Sequence, residues 1–290
     1  DIDIICRPGT DIEPYLRDIE RFGFVSKTLE ERQSRGANIP KSHSKFFYHI
    51  AYRDGANKES YILLDVLYED LHYLQTNEVE IVSPFVEHIG EPLSVFVPSV
   101  DDMLADKLTA FAPNTTGIPY LKGDRDCSLE IIKQLYDVGR LFDCSSVFSI
   151  TSEAFKKIAL VELQYRKLAE DLQLIYNDIR NTALCLATRG ALGHGDFKML
   201  QSGVKKLSSL LYKGNYHIEH AITDAAKAAY LATLIETEQE NVDRYNGDPL
   251  SVVPMALASS VDNKLNKLKK TLPEAYFYWV KIGEFLGNRD

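Results

Sequence analysis

Hydrophobic positions along the first hundred residues fall into short runs, whereas those further on recur every three or four residues. The opening segment Asp1-Ile2-Asp3-Ile4-Ile5-Cys6 starts with acid and apolar positions alternating, the two-residue period of a β-strand. Arg7-Pro8-Gly9-Thr10 predicts a turn, with Thr10 as the cap of a helix carrying Tyr15, Leu16, Ile19 and Phe22 on one face. Residues 45–52 and 61–68 read as two strands joined by the turn residues Asp54-Gly55-Ala56-Asn57, hence a hairpin. Residues 78–82 and 93–97 are shorter strand candidates, giving a sheet of about four or five strands.

Beyond Ser99 the pattern changes period. Ser99 followed by Asp101 and Asp102 starts a helix that runs through Leu108 and Phe111 and closes before Pro113. A polar loop over 114–124 precedes an amphipathic helix over 128–142. Apolar spacings of three and four then predict helices over 152–168, 169–187, 196–211, 218–237 and 265–286, the last broken at Pro273. Residues 190–195 and 246–249 are the breaks between them. The expected organisation is an α+β part over 1–147 followed by an all-helical part over 148–290, a change of class without a linker. No internal repeat or low-complexity tract interrupts it.

With 45% hydrophobic and 26% charged residues, a chain of 290 can bury a core without covalent staples. Its net charge of −9 excludes a protein that grips nucleic acid through a generally basic surface. Any polyanion must be met by a local basic group or by metal. The four cysteines, Cys6, Cys127, Cys144 and Cys185, form no C-x-x-C pair, which excludes a zinc ribbon and fits reduced thiols in the cytoplasm. No apolar run approaches the ~20 residues of a membrane span. Because the chain opens at Asp1 in mid-strand, further natural sequence is expected upstream.

The acids carry the chemistry. Asp1 and Asp3, two apart on a strand, project to the same side and repel each other unless positive charge stands between them. A divalent cation such as Mg²⁺ supplies it through hard oxygen ligands; a solvated strand end accounts for the pair equally well. Asp65 weighs toward the metal. It stands in Tyr61-Ile62-Leu63-Leu64-Asp65-Val66-Leu67-Tyr68, the pattern of a central strand buried on both faces. An ionised carboxylate there costs several kcal/mol unless paired or coordinated. Three carboxylates from two strands can hold two metal ions about 3.5–4 Å apart. A hydrogen bond from backbone or a pairing with arginine is the alternative.

The acid-apolar-acid strand followed by an apolar-acid-apolar strand resembles the polymerase-beta-like nucleotidyltransferases. Asp101-Asp102-Met103-Leu104-Ala105-Asp106-Lys107-Leu108-Thr109-Ala110 is similar to a helix of the AbiEii/AbiGii toxin family, to which the MenT toxins are related. Lys133-Gln134-Leu135-Tyr136-Asp137-Val138-Gly139-Arg140-Leu141 is similar to a second. Segments 202–207 and 224–230 resemble longer members with a helical C-terminal half. The resemblance implies a mixed-sheet nucleotidyltransferase core with helices behind it. It also implies Mg²⁺ (two ions) at Asp1, Asp3 and Asp65 and a nucleoside triphosphate (NTP) substrate. Asp65 matches the third acid, a metal ligand or the base for the acceptor hydroxyl. Lys107 and Lys133 match basic positions suited to triphosphate oxygens, and Asp137 matches an acid that orients Lys107 or pairs with Arg140. A tRNA acceptor end and an AbiEi-like antitoxin are the implied partners. Protein nucleotidylylation and a degenerate binding module are the rival functions.

Two departures stand out. Gln134 replaces the family's acid, and the Gly-Gly or Gly-Ser turn that usually precedes the acid pair lies outside this sequence. Among remaining features, Lys41, His43, Lys45 and Arg53 can form a basic patch or simply be solvated, as can Lys122 and Arg125. His194 reads as an interhelix turn residue, and His217 with His220 as surface or packing residues lacking a third ligand. Tyr216, Tyr230, Tyr276, Phe277 and Trp279 read as helix packing.

Overall fold

A computed structural model describes residues 2–19, 23–24, 26–33, 42–53, 59–85, 87, 89–258 and 263–287. The chain divides into two compact units, Asp1–His72 and Tyr73–Asp290.

The first unit is a four-stranded sheet and one helix. Strands β1 (Ile2–Cys6), β2 (Ser26–Gln33), β3 (Ser42–Arg53) and β4 (Glu59–Tyr68) stand in the order β1-β4-β3-β2, with helix α1 (Glu13–Ile19) between β1 and β2 in sequence. β1 runs parallel to β4, and the other pairs are antiparallel, so the sheet is mixed. Ile12 and Leu16, one turn apart, bury against Phe46, Tyr48, Leu64 and Val66 on one face of β3 and β4. Thr10 does not cap α1. Its hydroxyl donates to the Arg7 carbonyl at 2.8 Å, while the Asp11 carboxylate accepts from the Glu13 amide at 3.1 Å. Tyr15 points outward, and Phe22 lies outside the described residues.

The pattern did not announce β2. Its sequence, Ser-Lys-Thr-Leu-Glu-Glu-Arg-Gln, is polar because it forms the sheet edge, where charge discourages pairing with other chains. Conversely, β5 (Thr76–Glu80) and β6 (Ser94–Pro98), expected to join the main sheet, form a separate antiparallel pair in the second unit. Nor is β4 buried on both faces: Leu64 and Val66 are enclosed, but Leu63, Asp65 and Leu67 on the opposite face are half-buried.

The second unit is built on helices α2 (Val100–Ala110), α3 (Ser128–Cys144), α4 (Phe148–Tyr165), α5 (Leu172–Ala187), α6 (Phe197–Ser208), α7 (Ile218–Glu236), α8 (Leu268–Thr271) and α9 (Pro273–Gly287). A two-residue-per-strand hairpin, β7 (Leu121–Lys122) with β8 (Arg125–Asp126), turns at Gly123, whose φ of +61° suits glycine. Pro273 breaks the predicted last helix and begins α9, where its missing N–H costs no hydrogen bond. One continuous core runs from Leu104 on α2 to Ile282 on α9. The boundary expected at 147/148 falls between α3 and α4, inside this unit.

α7 is the axis of that core. Its face is small and apolar nearly all round, with Ala221, Ala225, Ala226, Ala228, Ala229 and Ala232 fully buried, so α3, α5 and α9 can all pack on it. Buried acids tie the helix ends together. Asp102 accepts from the Leu74 and Gln75 amides at 2.7 and 3.0 Å and from the Ser99 hydroxyl at 2.7 Å, while Ser99 caps α2. Asp101 accepts from the Ser146 and Val147 amides, both at 3.1 Å, fixing the turn between α3 and α4. Asp178 on α5 similarly receives the Asn114 amide, the Asn114 side chain and the Thr115 hydroxyl.

Gly203 lets α6 lie against the start of α3, since a Cβ there would overlap the Ser128 carbonyl. Gly203→Ala should therefore lower stability by roughly 1–3 kcal/mol, seen as a lower urea midpoint at unchanged m-value. Burial of Asp224 on α7 pushes its carboxyl up to about 6, against the pull of Arg140, Lys227 and Tyr216. That lies above the unfolded value of about 3.9, so between roughly pH 4 and 6 the folded state binds a proton that the unfolded state does not. The Asp224 contribution to stability accordingly weakens as pH rises through 6. Urea midpoints of the wild type and Asp224→Asn from pH 4.5 to 7.5 should shift relatively in the variant's favour as pH rises; a constant difference contradicts the assignment.

Candidate active site

The residues singled out from the sequence fall into two groups, one in each compact unit. In the sheet, the parallel register sets Asp3 beside Asp65, so both carboxylates project from the same face of neighbouring strands. Strands are spaced about 4.8 Å apart, close enough for the two charges to repel strongly. Asp3 is exposed, whereas the Asp65 side chain is 14% exposed. Asp1 lies outside the described residues.

On the far side of Asp65, the antiparallel register with β3 places Lys45 opposite it. The Lys45 ammonium donates to Asp65 Oδ2, and His43 Nε2 lies against Oδ1. His43 and Lys45 are two apart and share the face that carries Asp65, so they are not the solvated patch that sequence alone allowed. Lys41 and the Arg53 side chain lie outside the described residues. Lys45 is the partner that sequence reasoning missed. Its face follows from the two-residue period of β3, along which Ser44, Phe46 and Tyr48 are buried, but the residue types do not alternate and the register had to be known.

The sheet fits a divalent cation in one respect: Asp3 and Asp65 present hard oxygen donors side by side. Both Asp65 oxygens already have a basic neighbour, Lys45 at Oδ2 and His43 at Oδ1. Among the described residues, no three carboxylates, imidazoles or thiols gather round one point.

The second group lies where α2 meets α3. Leu104, Leu108 and Phe111 are fully buried and leave Lys107 beside them at the edge of the core. Lys107 Nζ stands 4.0 Å from Asp137 Oδ2, with side chains 33% and 41% exposed. Burial pushes the Asp137 carboxyl up, while Lys107 and Lys133 pull it back. Of the two partners open to Asp137, Lys107 is the one it meets; Arg140 turns to Asp224 on α7 at 3.5 Å. Gln134 lies within the same helix, α3. In the hairpin ahead of it, Arg125 pairs with Glu130, and Lys122 is exposed.

The remaining candidates are structural. His194 lies in the turn between α5 and α6, where Gly190 and Gly193 take positive φ. His220 Nδ1 accepts the His217 amide at 3.0 Å at the start of α7. Tyr216, Tyr230, Tyr276 and Trp279 are buried and Phe277 packs against the core. All four cysteines are free.

A mixed sheet carrying paired acids, continued by a helical unit carrying a lysine–aspartate pair, has the α+β architecture of a nucleotidyltransferase core with a helical C-terminal region. The chain belongs to the AbiEii family: the family model described as "Nucleotidyl transferase AbiEii toxin, Type IV TA system" matches residues 1–205. This makes the protein a member of a nucleotidyltransferase toxin family, for which an NTP substrate and an antitoxin counterpart follow. No curated protein matches the chain. No helix among the described residues is long and apolar enough to cross a membrane.

Removing the Lys45 ammonium would leave a mostly buried carboxylate uncompensated. Lys45→Met is expected to destabilise the sheet unit by about 1–3 kcal/mol, less than a fully buried pair because both groups keep some water contact. Adding Asp65→Asn in that background should recover part of the loss. A double-mutant cycle on urea unfolding with no coupling between the positions contradicts the pairing.

Proposed function

We propose that the protein transfers a nucleoside monophosphate from an NTP to an acceptor hydroxyl, releasing pyrophosphate, and that the acceptor is RNA, specifically a tRNA 3′ end. Asp1, Asp3 and Asp65 would hold Mg²⁺, with two ions expected. Bound there, Mg²⁺ supplies neutralising charge for the triphosphate and lowers the pKa of the acceptor hydroxyl. Asp65 would serve as a metal ligand or as the base for the acceptor hydroxyl, Lys107 and Lys133 would meet phosphate oxygens, and Asp137 would orient Lys107. The transfer is assigned to residues 1–147 with 148–290 as helical support, in the cytoplasm and opposite an AbiEi-like antitoxin.

The observation that carries this reading is the register that pairs Asp3 with Asp65 on one face of β1 and β4. Two acids set side by side at a strand pair, one of them mostly buried, form a repulsive arrangement that a cation relieves. Family membership supplies the reaction class.

A second reading is favoured by one contact. Lys45 already supplies positive charge to Asp65, as in a nucleotidyltransferase fold reduced to a binding module. Incubation with each α-labelled NTP and Mg²⁺, against total RNA and against lysate protein, separates the possibilities. Label in RNA that disappears with EDTA is expected. Asp3→Asn and Asp65→Asn should each cut incorporation at least about a hundredfold, and Lys107→Ala on the order of 10²–10³-fold. Label in protein alone moves the acceptor to a protein hydroxyl; no label in either, with the fold intact, favours the binding module.

A further inference from the structure

α3 carries Lys133, Tyr136, Asp137 and Arg140 at spacings of three and four, so they form one stripe along the helix. Family resemblance assigns roles to Lys133 and Asp137, but none beyond a possible pairing to Arg140. Yet Arg140 has the most elaborate support of the four. Its Nη2 donates to Asp224 Oδ1 at 3.5 Å, and its guanidinium lies 5.4 Å from the centre of the Tyr136 ring. Asp224 comes from α7, with a side chain only 1% exposed. Its other oxygen accepts from the buried Tyr216 hydroxyl at 2.9 Å. The Tyr216 ring in turn meets the Tyr136 ring edge-on at 5.2 Å.

Gly139 makes room for this arrangement, because a Cβ at that position would overlap the Asp224 carboxylate. A buried carboxylate, a buried tyrosine and a glycine thus converge on an arginine whose own side chain is 52% exposed. As a means of stability the arrangement is poor, since burying a carboxylate is costly and the contact is long. What it does is orient the guanidinium, with one edge toward Asp224 and the group near the Tyr136 ring. Arginine has five N–H donors, and among the described residues the only acceptor bonded to this one is Asp224 Oδ1. The remaining donors are left to solvent one helical turn from Asp137.

We propose that Arg140 binds a phosphate group of the substrate, with Asp224 and Tyr216 as positioning residues that orient its guanidinium. The planar fork matches two phosphate oxygens, which an ammonium does not. The phosphate belongs either to the NTP or to the backbone of an RNA acceptor. Asp224 and Tyr216 lie beyond the 1–205 segment that the family model matches, so the support for this arginine comes from the helical continuation. The proposal rests on the nucleotide-transfer reading for the kind of substrate, but its test is binding and needs no turnover.

The full-length chain would be titrated with a fluorescent NTP analogue in Mg²⁺ and, separately, with a labelled single-stranded oligoribonucleotide over a range of salt. Arg140→Ala should weaken one of the two about tenfold, and Arg140→Lys should recover only part of it. If the affected probe is RNA, the slope of log affinity against log salt should fall by about 1. The probe affected identifies the source of the phosphate. Asp224→Asn should weaken the same probe several-fold, yet have no further effect when Arg140 is already alanine. The exposed Lys198→Ala serves as control.

Unchanged affinity for both probes in a folded Arg140→Ala protein overturns the proposal, as does a wild type that binds neither. Equal Asp224→Asn effects with and without Arg140 remove the positioning role. A wild type that binds with the predicted Arg140 dependence but labels neither RNA nor protein refutes the transfer reading and leaves Arg140 as a phosphate ligand.

Discussion

A carboxylate that is 14% exposed in the middle of a β-sheet has to be met by positive charge, and the sheet of this protein is arranged around that requirement at Asp65. The order β1-β4-β3-β2 puts Asp65 between two neighbours of opposite kind: a second acid, Asp3, on the parallel side and a base, Lys45, on the antiparallel side. A one-residue slip of either strand would send one of these partners to the face closed by α1 and into contact with Leu16, Phe46 and Val66. The apolar face and the charged face therefore enforce the same register. The chemistry and the folding of this unit rest on one pairing pattern.

The helical unit meets a comparable requirement by different means. Its buried acids Asp101, Asp102 and Asp178 are satisfied by backbone amides and hydroxyls at helix starts and turns, where unpaired donors are plentiful. Asp224 is the exception: it accepts its hydrogen bonds from side chains, Arg140 and Tyr216. Acids that close turns can be explained by the fold itself. An acid in mid-helix, facing a half-exposed arginine through the gap left by Gly139, gains little for the fold. That contrast is what sets Arg140 apart from the other surface arginines, such as Arg189, which pairs with the exposed Glu219.

Legibility in the sequence followed how local each signal was. The strands β1, β3 and β4 and helices α2 to α7 were readable because period and caps are properties of neighbouring residues: Ser99 with Asp102 at α2, Asp196 at α6, Pro273 at α9. Edge strand β2 was not, because a polar edge has no apolar alternation to betray it. The separate pairing of β5 with β6 could not be read either, since strand partners are set by long-range contacts. At the site, Asp65 stood out by being charged amid apolar neighbours, and Lys107 through the resemblance of its helix to the family's. Lys45 and Asp224 did not, because what marks them is the residue opposite: Asp65 across the β3–β4 ladder, and Arg140 on another helix.

The same distinction bears on how an acidic protein handles a polyanion. With a net charge of −9, the chain gains nothing from long-range attraction of nucleotides or RNA. Any binding must then come from basic side chains held at fixed positions or from bound metal. On α2 and α3, Lys107 stands 4.0 Å from Asp137 and Arg140 3.5 Å from Asp224, with Lys133 one turn before Asp137. An ammonium at 4.0 Å from its acid and a guanidinium held at one edge both keep most of their donors free. Fixed cations lose little conformational entropy on meeting phosphate, so few are needed. On the proposed reading, the placement of a few bases decides binding, and Asp137 and Asp224 set that placement.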